Sequence, residues 1–157
     1  MAAYAGSVER SRGQTMTAKE MLMRYLWAKR EADEMELKLT QLRLKYAAPS
    51  AIKYSDMPTA HDANHDLSEY AEKLEELTDL LVAKYNKCIG IEVDVEMRLD
   101  RMPEDKQLFR EILRHRYLTI TDNGRLNPWE EVAKKVGYTK RRVETLHGIA
   151  LLYFPTD

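Results

Sequence analysis

The chain has 157 residues, enough for one ordinary domain or a small domain carrying an extended element. Its 44% hydrophobic and 32% charged residues, six glycines and five prolines describe a helix-rich chain without an alternating strand pattern of useful length. No apolar run is long enough to span a membrane, no signal-peptide core follows Met1, a lone Cys88 excludes an intrachain disulfide, and a formal charge of −1 does not advertise nucleic-acid binding.

Residues 1–16 are small, polar and mixed in charge, and are expected to form a mobile tail in which Arg10 and Arg12 are simply solvated. Thr17-Ala18-Lys19-Glu20 is a capping box that opens a long helix. Met21, Tyr25, Ala28, Ala32, Met35, Leu39, Leu42 and Tyr46 then alternate spacings of four and three, an apolar heptad seam. At the start of this helix the apolar residues spread beyond the seam to Leu22, Met23, Leu26 and Trp27. One seam cannot cover them, so this end is expected to pack on a third element, either the C-terminal helices or another protomer.

Residues 47–65 break the pattern with Pro49, Pro58 and short polar residues, and read as a loop. His61 and His65 would face together on a helix with Asp66 adjacent. No HExxH pattern accompanies them, and Asp66 is better used as the next N-cap with Glu69 at the third position, so no metal is assigned. A second long helix follows, with Leu67, Tyr70, Leu74, Leu77, Leu81, Cys88, Ile91, Val95 and Met102 near heptad spacing. Lys84 interrupts this seam and Tyr85 is expected to fill the gap. Cys88 reads as a buried, inert thiol. Gly90 costs about 1 kcal/mol relative to alanine in a helix interior and marks a bend or a close helix crossing. Residues 17–102 are therefore expected to form a long antiparallel, coiled-coil-like hairpin. A homodimer through these helices would bury more apolar surface than the hairpin alone.

Pro103-Glu104-Asp105 stops the second helix and leads into a third, whose core face is Leu108, Phe109, Ile112, Leu113, Tyr117 and Leu118. Asp122-Asn123-Gly124 is a turn signal. Asn127 reads as an N-cap, with Pro128 at the first helical position and Glu130 completing a capping box. Trp129, Val132, Ala133 and Val136 share the buried face of that helix, and Gly137 ends it in the left-handed conformation. Thr139 caps the next helix, with Val143, Leu146, Ala150 and Leu151 buried. Lys140, Arg141, Glu144, Thr145 and Gly148 face outward, and Pro155 follows the end. A short helix, a tight turn and a second helix with a basic first turn are the layout of a helix-turn-helix, whose second helix enters the DNA major groove by its N-terminal end. From Asp105 onward ten lysines and arginines face seven acidic residues, a formal +3, which leaves −4 for the remainder. Local basic fields of this kind, rather than net charge, attract phosphate.

The segment from about Glu104 to Phe154 resembles region four of bacterial sigma factors. EDKQLFREILRHRYL (104–118) is similar to its leading helix, and ITDNGRLNPWEEVAKKVGYTKRRVETLHGIAL (120–151) to its turn, supporting helix and recognition helix. The whole chain also resembles a group of small phage proteins, described as transcriptional regulators, with a long helical N-terminal half and a region-four-like C-terminus. The resemblance implies an all-α fold, a helix-turn-helix domain over 103–157, double-stranded DNA as partner, and a bacterial cytoplasmic, nucleoid-associated location. It places base reading on Lys140, Arg141 and Thr145, at a helix opened by Thr139, with Arg142, Glu144 and His147 beside them. Sigma factors usually carry Arg-Glu where this chain has Lys140-Arg141. Because a glutamate accepts from cytosine and an arginine donates to guanine, a standard promoter hexamer is not expected. Lys134, Lys135 and either Arg114 or Arg116 are candidates for phosphate. His115 and His147 are expected at the surface without catalytic roles, and Trp129 in the core.

Region four of sigma factors also grips the polymerase flap, which makes bacterial RNA polymerase a second expected partner. No segment resembles the sigma region that melts the −10 element, so an accessory activator fits better than a complete sigma factor. Two other readings stay open: a sigma mimic that docks on polymerase with weak DNA affinity, and a small DNA-packaging subunit, although those usually place the DNA-binding domain first. Neither enzymatic activity nor a cofactor is expected, since no phosphate-cradling glycine loop, base-paired nucleophile or convincing metal set occurs.

Overall fold

The computed structural model describes residues 15–47 and 60–157, so nearly all of the expected tail and most of the expected loop lie outside the described residues. Among the described residues the regular structure is all helical apart from one isolated bridge between Ile120 and Leu126. Its elements are α1 (Ala18–Ala47), α2 (Ala60–Asp100), a 3-10 turn (Glu104–Lys106), α3 (Gln107–Tyr117), α4 (Trp129–Val136) and α5 (Lys140–Tyr153). Among the described residues, no helix is long and apolar enough to cross a membrane.

The capping box before α1 forms as read: the Glu20 amide donates to Thr17 Oγ1 (3.2 Å) and the Thr17 amide to Glu20 Oε2 (2.8 Å). α1 and α2 then run antiparallel, since the start of α1 meets the end of α2 and the end of α1 meets its start. Arg24 pairs with Asp94, Lys84 donates to Glu31 (2.9 Å), Tyr85 donates to Glu36 (2.7 Å), and the Tyr46 ring lies 4.2 Å from that of Tyr70. Lys84 thus does not leave a gap. Its ammonium reaches the hairpin edge, and the Glu36 contact pushes the Tyr85 phenol up to about 12.

α2 starts earlier than its cap signal suggested. Ala60 to His65 are already helical, so Asp66 lies inside the helix and the loop is shorter than read. No proline or glycine stands between Pro58 and Leu67 to stop a helix, and an aspartate in mid-helix is a weak obstacle once the preceding turn has formed. The apolar seam conversely starts later than read. Leu67 is 62% exposed, Leu74, Leu77 and Leu81 are half-buried, and full burial begins at Cys88. Burial there pushes the Cys88 thiol up. The seam ends with Val95, Leu99 and Met102; Leu99 has no exposed surface, although the heptad reading passed over it.

The apolar surplus at the start of α1 is covered by the C-terminal helices. Met21, Leu22, Tyr25 and Ala28 share one cluster with Ile91, Val95 and Leu99 of α2, Leu113 and Tyr117 of α3, Ala150 of α5 and Phe154 just beyond it. Burial beside Glu92 pushes the Tyr25 phenol up to about 12. A smaller second cluster, Ile112, Val132, Ala133, Val143 and Leu146, binds α3, α4 and α5 to one another.

Polar clamps reinforce the junction. Arg114 places Nε and Nη2 on Glu96 of α2 (3.0 and 2.9 Å) and Nη1 on Glu111 (2.6 Å). Arg30 of α1 donates to the Gly124 carbonyl at the apex of the α3–α4 loop. Glu96→Ala is expected to cost about 1 kcal/mol, the modest value of a bidentate pair at a partly exposed site. Urea denaturation of the two proteins measures it, and identical midpoints would mean that the clamp contributes nothing.

Candidate nucleic-acid interface

α3, α4 and α5 wrap the smaller apolar cluster, and two short connections decide how α5 is presented. The entry to α4 departs from the capping box that the sequence suggested. Pro128 is the cap residue (φ −59°, ψ 148°), with no side-chain cap. Asn127 is buried; its Nδ2 donates to the His115 carbonyl (3.0 Å), and its own carbonyl accepts from Arg116 (2.6 Å). The amide thus satisfies one of the orphan carbonyls at the end of α3, at a part-buried site. Glu130, freed from capping, pairs with Lys140 (2.9 Å), which holds the carboxyl below and the ammonium above their ordinary values.

The exit from α4 and entry to α5 follow the sequence. Gly137 is left-handed (φ 76°), and its amide and that of Tyr138 both donate to the Ala133 carbonyl (2.9 and 3.1 Å). A side chain at this φ would be strained. Thr139 is extended and its Oγ1 accepts from the Arg142 amide (3.3 Å). Val143, Leu146 and Ala150 are buried and Leu151 partly so, which fixes the opposite face outward.

That outer face holds Thr139, Lys140, Arg141, Arg142, Glu144 and Thr145, all exposed, with Lys134 and Lys135 exposed at the end of α4. Their availability differs. Lys140 is paired with Glu130 and Lys134 with Glu131 (3.1 Å), whereas Lys135, Arg141 and Arg142 make no ion pair among the described residues. The Thr145 hydroxyl donates to the Arg141 carbonyl (3.0 Å), leaving its methyl group free. Beyond them, Gly148 has open space where a side chain would stand, and Ile149 and Leu152 are exposed. The sequence reading missed Tyr138, which is 48% exposed at the turn. Its place between a helix-ending glycine and a capping threonine, on neither apolar stripe, was the available signal.

Four residues expected at the surface are instead engaged by other groups of the fold. His147 does not face outward with Arg141. Its Nε2 is 2.8 Å from the Tyr117 hydroxyl, its ring lies edge-on to Trp129 (4.8 Å), and burial, with Arg116 and Lys19 nearby, pushes its pKa down to about 4. The reason is spacing: His147 follows buried Val143 by four residues, so helical geometry carries it beside the buried stripe whatever its polarity. Arg116 lies over the Trp129 ring (4.2 Å) and donates to the Asn127 carbonyl, and burial lowers its pKa. Trp129 is accordingly half-buried rather than fully in the core. Arg114 is committed to Glu96 and Glu111, so neither Arg114 nor Arg116 faces solvent as a free cation. His115 is half-buried, 3.3 Å from Glu111.

The histidine cluster near the start of α2 does not build a site. His65, Asp66 and Glu69 lie close together at the surface, Glu69 is tied to Lys73 (2.6 Å), and the His61 side chain lies outside the described residues. Compared with protein-family models, with curated proteins and with solved structures, the chain matches none.

Proposed function

We propose that α3–α5 act as a region-four-like helix-turn-helix that binds double-stranded DNA through the first turns of α5. On this reading the protein is a phage or prophage transcriptional regulator, an accessory activator that works with host RNA polymerase as a homodimer in the bacterial cytoplasm. One observation carries the proposal: Arg141 and Arg142 are exposed and unpaired at the start of a capped helix whose other face is firmly buried. A helix N-terminus adds a favourable field for phosphate. Arg141 has the fork geometry for the O6 and N7 of guanine, Glu144 can accept from cytosine, and the Thr145 methyl suits the thymine methyl. Lys135, with Lys134 beside it, supplies phosphate contacts.

An electrophoretic shift with fragments of the source genome tests this directly. Arg141→Ala should cost about 1–3 kcal/mol and relax preference at one base pair. Lys135→Ala should weaken all duplexes alike and lower the salt slope by about one. If Arg141→Ala weakens every duplex equally, Arg141 is a phosphate contact and not a base reader. If the wild-type protein shifts no duplex at low salt, the alternative gains: a polymerase-docking sigma mimic, for which exposed Ile149 and Leu152 on the second half of α5 offer an apolar surface. A ring-sized mass in solution would instead favour a DNA-packaging subunit.

A further inference from the structure

We infer that α2 carries a self-complementary face, centred on Ile89 and Gly90, against which a second copy of this chain packs antiparallel. The inference deepens the homodimer part of the proposal above and does not depend on DNA binding. Val82, Ile89, Val93 and Met97 are 53%, 56%, 51% and 62% exposed. With exposed Asn86 they recur at spacings of four, three, four and four, directly opposite the buried stripe of Cys88, Ile91, Val95 and Leu99. None of the five is charged, and at 1.5 Å per residue they extend for about 22 Å. Regular apolar spacing of this kind on a helix matches another helix.

Gly90 supplies the second observation. It sits beside this stripe in mid-helix, with no positive φ, and a Cβ built on it meets nothing within 4 Å. Within one chain, nothing offsets the loss of about 1 kcal/mol relative to alanine. A second helix approaching closely there would.

A second copy fits this face through its own pattern. About a two-fold axis between residues 89 and 90, each copy's Gly90 falls beside the other's Gly90 on one flank, which lets the backbones approach, while the two Ile89 side chains meet on the other flank. The same axis sets Val82 against Met97 and Asn86 against Val93, and every pairing occurs twice. At the ends the axis sets the like charges of Asp79 and Asp100 level, and Arg101 of the second copy offsets them. Asp79, exposed and without an ion pair among the described residues, comes level with Asp100 and Arg101 of the second copy. On helical spacing Arg101 lies on the Asp79 flank, and its present partner, Asp157, is itself 88% exposed.

Sedimentation of the full chain without DNA tests the face. The wild type should run at twice its 18.3 kDa mass at tens of micromolar. Gly90→Leu fills space that is open in the single chain, so helix content and monomer stability should hold while dimer dissociation rises about tenfold or more. Ile89→Glu with Val93→Glu should give a monomer of unchanged circular dichroism. Leu37→Glu with Leu44→Glu, on the exposed side of α1, should leave the dimer intact. A wild-type monomer at every concentration overturns the inference, and if it still shifts DNA the DNA-binding proposal survives. A dimer that resists the Gly90 and Ile89/Val93 variants but breaks with the α1 pair removes this face and keeps dimerisation.

Discussion

Leu22→Ala is expected to destabilise the whole fold by about 2–5 kcal/mol, in a single transition. Leu22 has no exposed surface, and it points away from the heptad seam into the cluster that holds Leu113, Tyr117, Ala150 and Phe154. A cavity there removes contacts from α1 and from the C-terminal helices at once. In a Trp27→Phe background, the fluorescence of Trp129 reports on α4, while circular dichroism is dominated by α1 and α2. Both denaturation curves should shift together and stay superimposed. If Trp129 melts separately from the bulk helix signal, the hairpin and the three-helix end are independent folding units and the shared cluster does not couple them.

Acidification is expected to destabilise the protein through His147. Its folded pKa is held at about 4, against 6.5 for an ordinary imidazole, chiefly by burial. The unfolded chain therefore takes up a proton that the folded state refuses. The stabilisation is complete above about pH 6.5 and drains away as pH falls towards 4; solvent screening at this partly exposed ring keeps it below the roughly 3 kcal/mol of the full shift. Carboxylates titrate over part of the same range, so the informative quantity is the difference between wild type and His147→Gln, which retains a polar partner for Tyr117. The wild type should lead at pH 7 and lose that lead by pH 4. A constant gap across the range would mean that the imidazole titrates like an exposed one.

Features that depend on a residue's own conformational preference were legible in the sequence. The Thr17–Glu20 box, the left-handed turn at Gly137 and the Thr139 cap each form from neighbours within a few positions. Cap signals failed where a distant group competed for the side chain or where the preceding turn had already formed. Asn127 is drawn to the His115 carbonyl, an orphan acceptor at the end of α3, and Asp66 is overrun by a helix begun at Ala60. The same limit applies to the candidate site. Sequence polarity showed that Arg114, Arg116, Arg141 and Arg142 are cations. It could not show that Glu96 and Trp129 would engage the first two while the second pair stayed free. The surplus of Leu22 and Leu26 signalled that something covers the start of α1, but choosing between the C-terminal helices and a second protomer required the fold.

The uneven burial along α1 also has a mechanical meaning. Its fully buried residues crowd between Met21 and Ala32, with only Leu39 beyond them, and at the far end Leu44 and Leu67 are largely bare while Tyr46 rests on Tyr70. The long pair of helices is thus a cantilever, clamped at its root and lightly pinned at its tip. Pulled from the tip, it would peel open one turn at a time, and the C-terminal helices at the root would not feel the load until the peeling had reached Ala32.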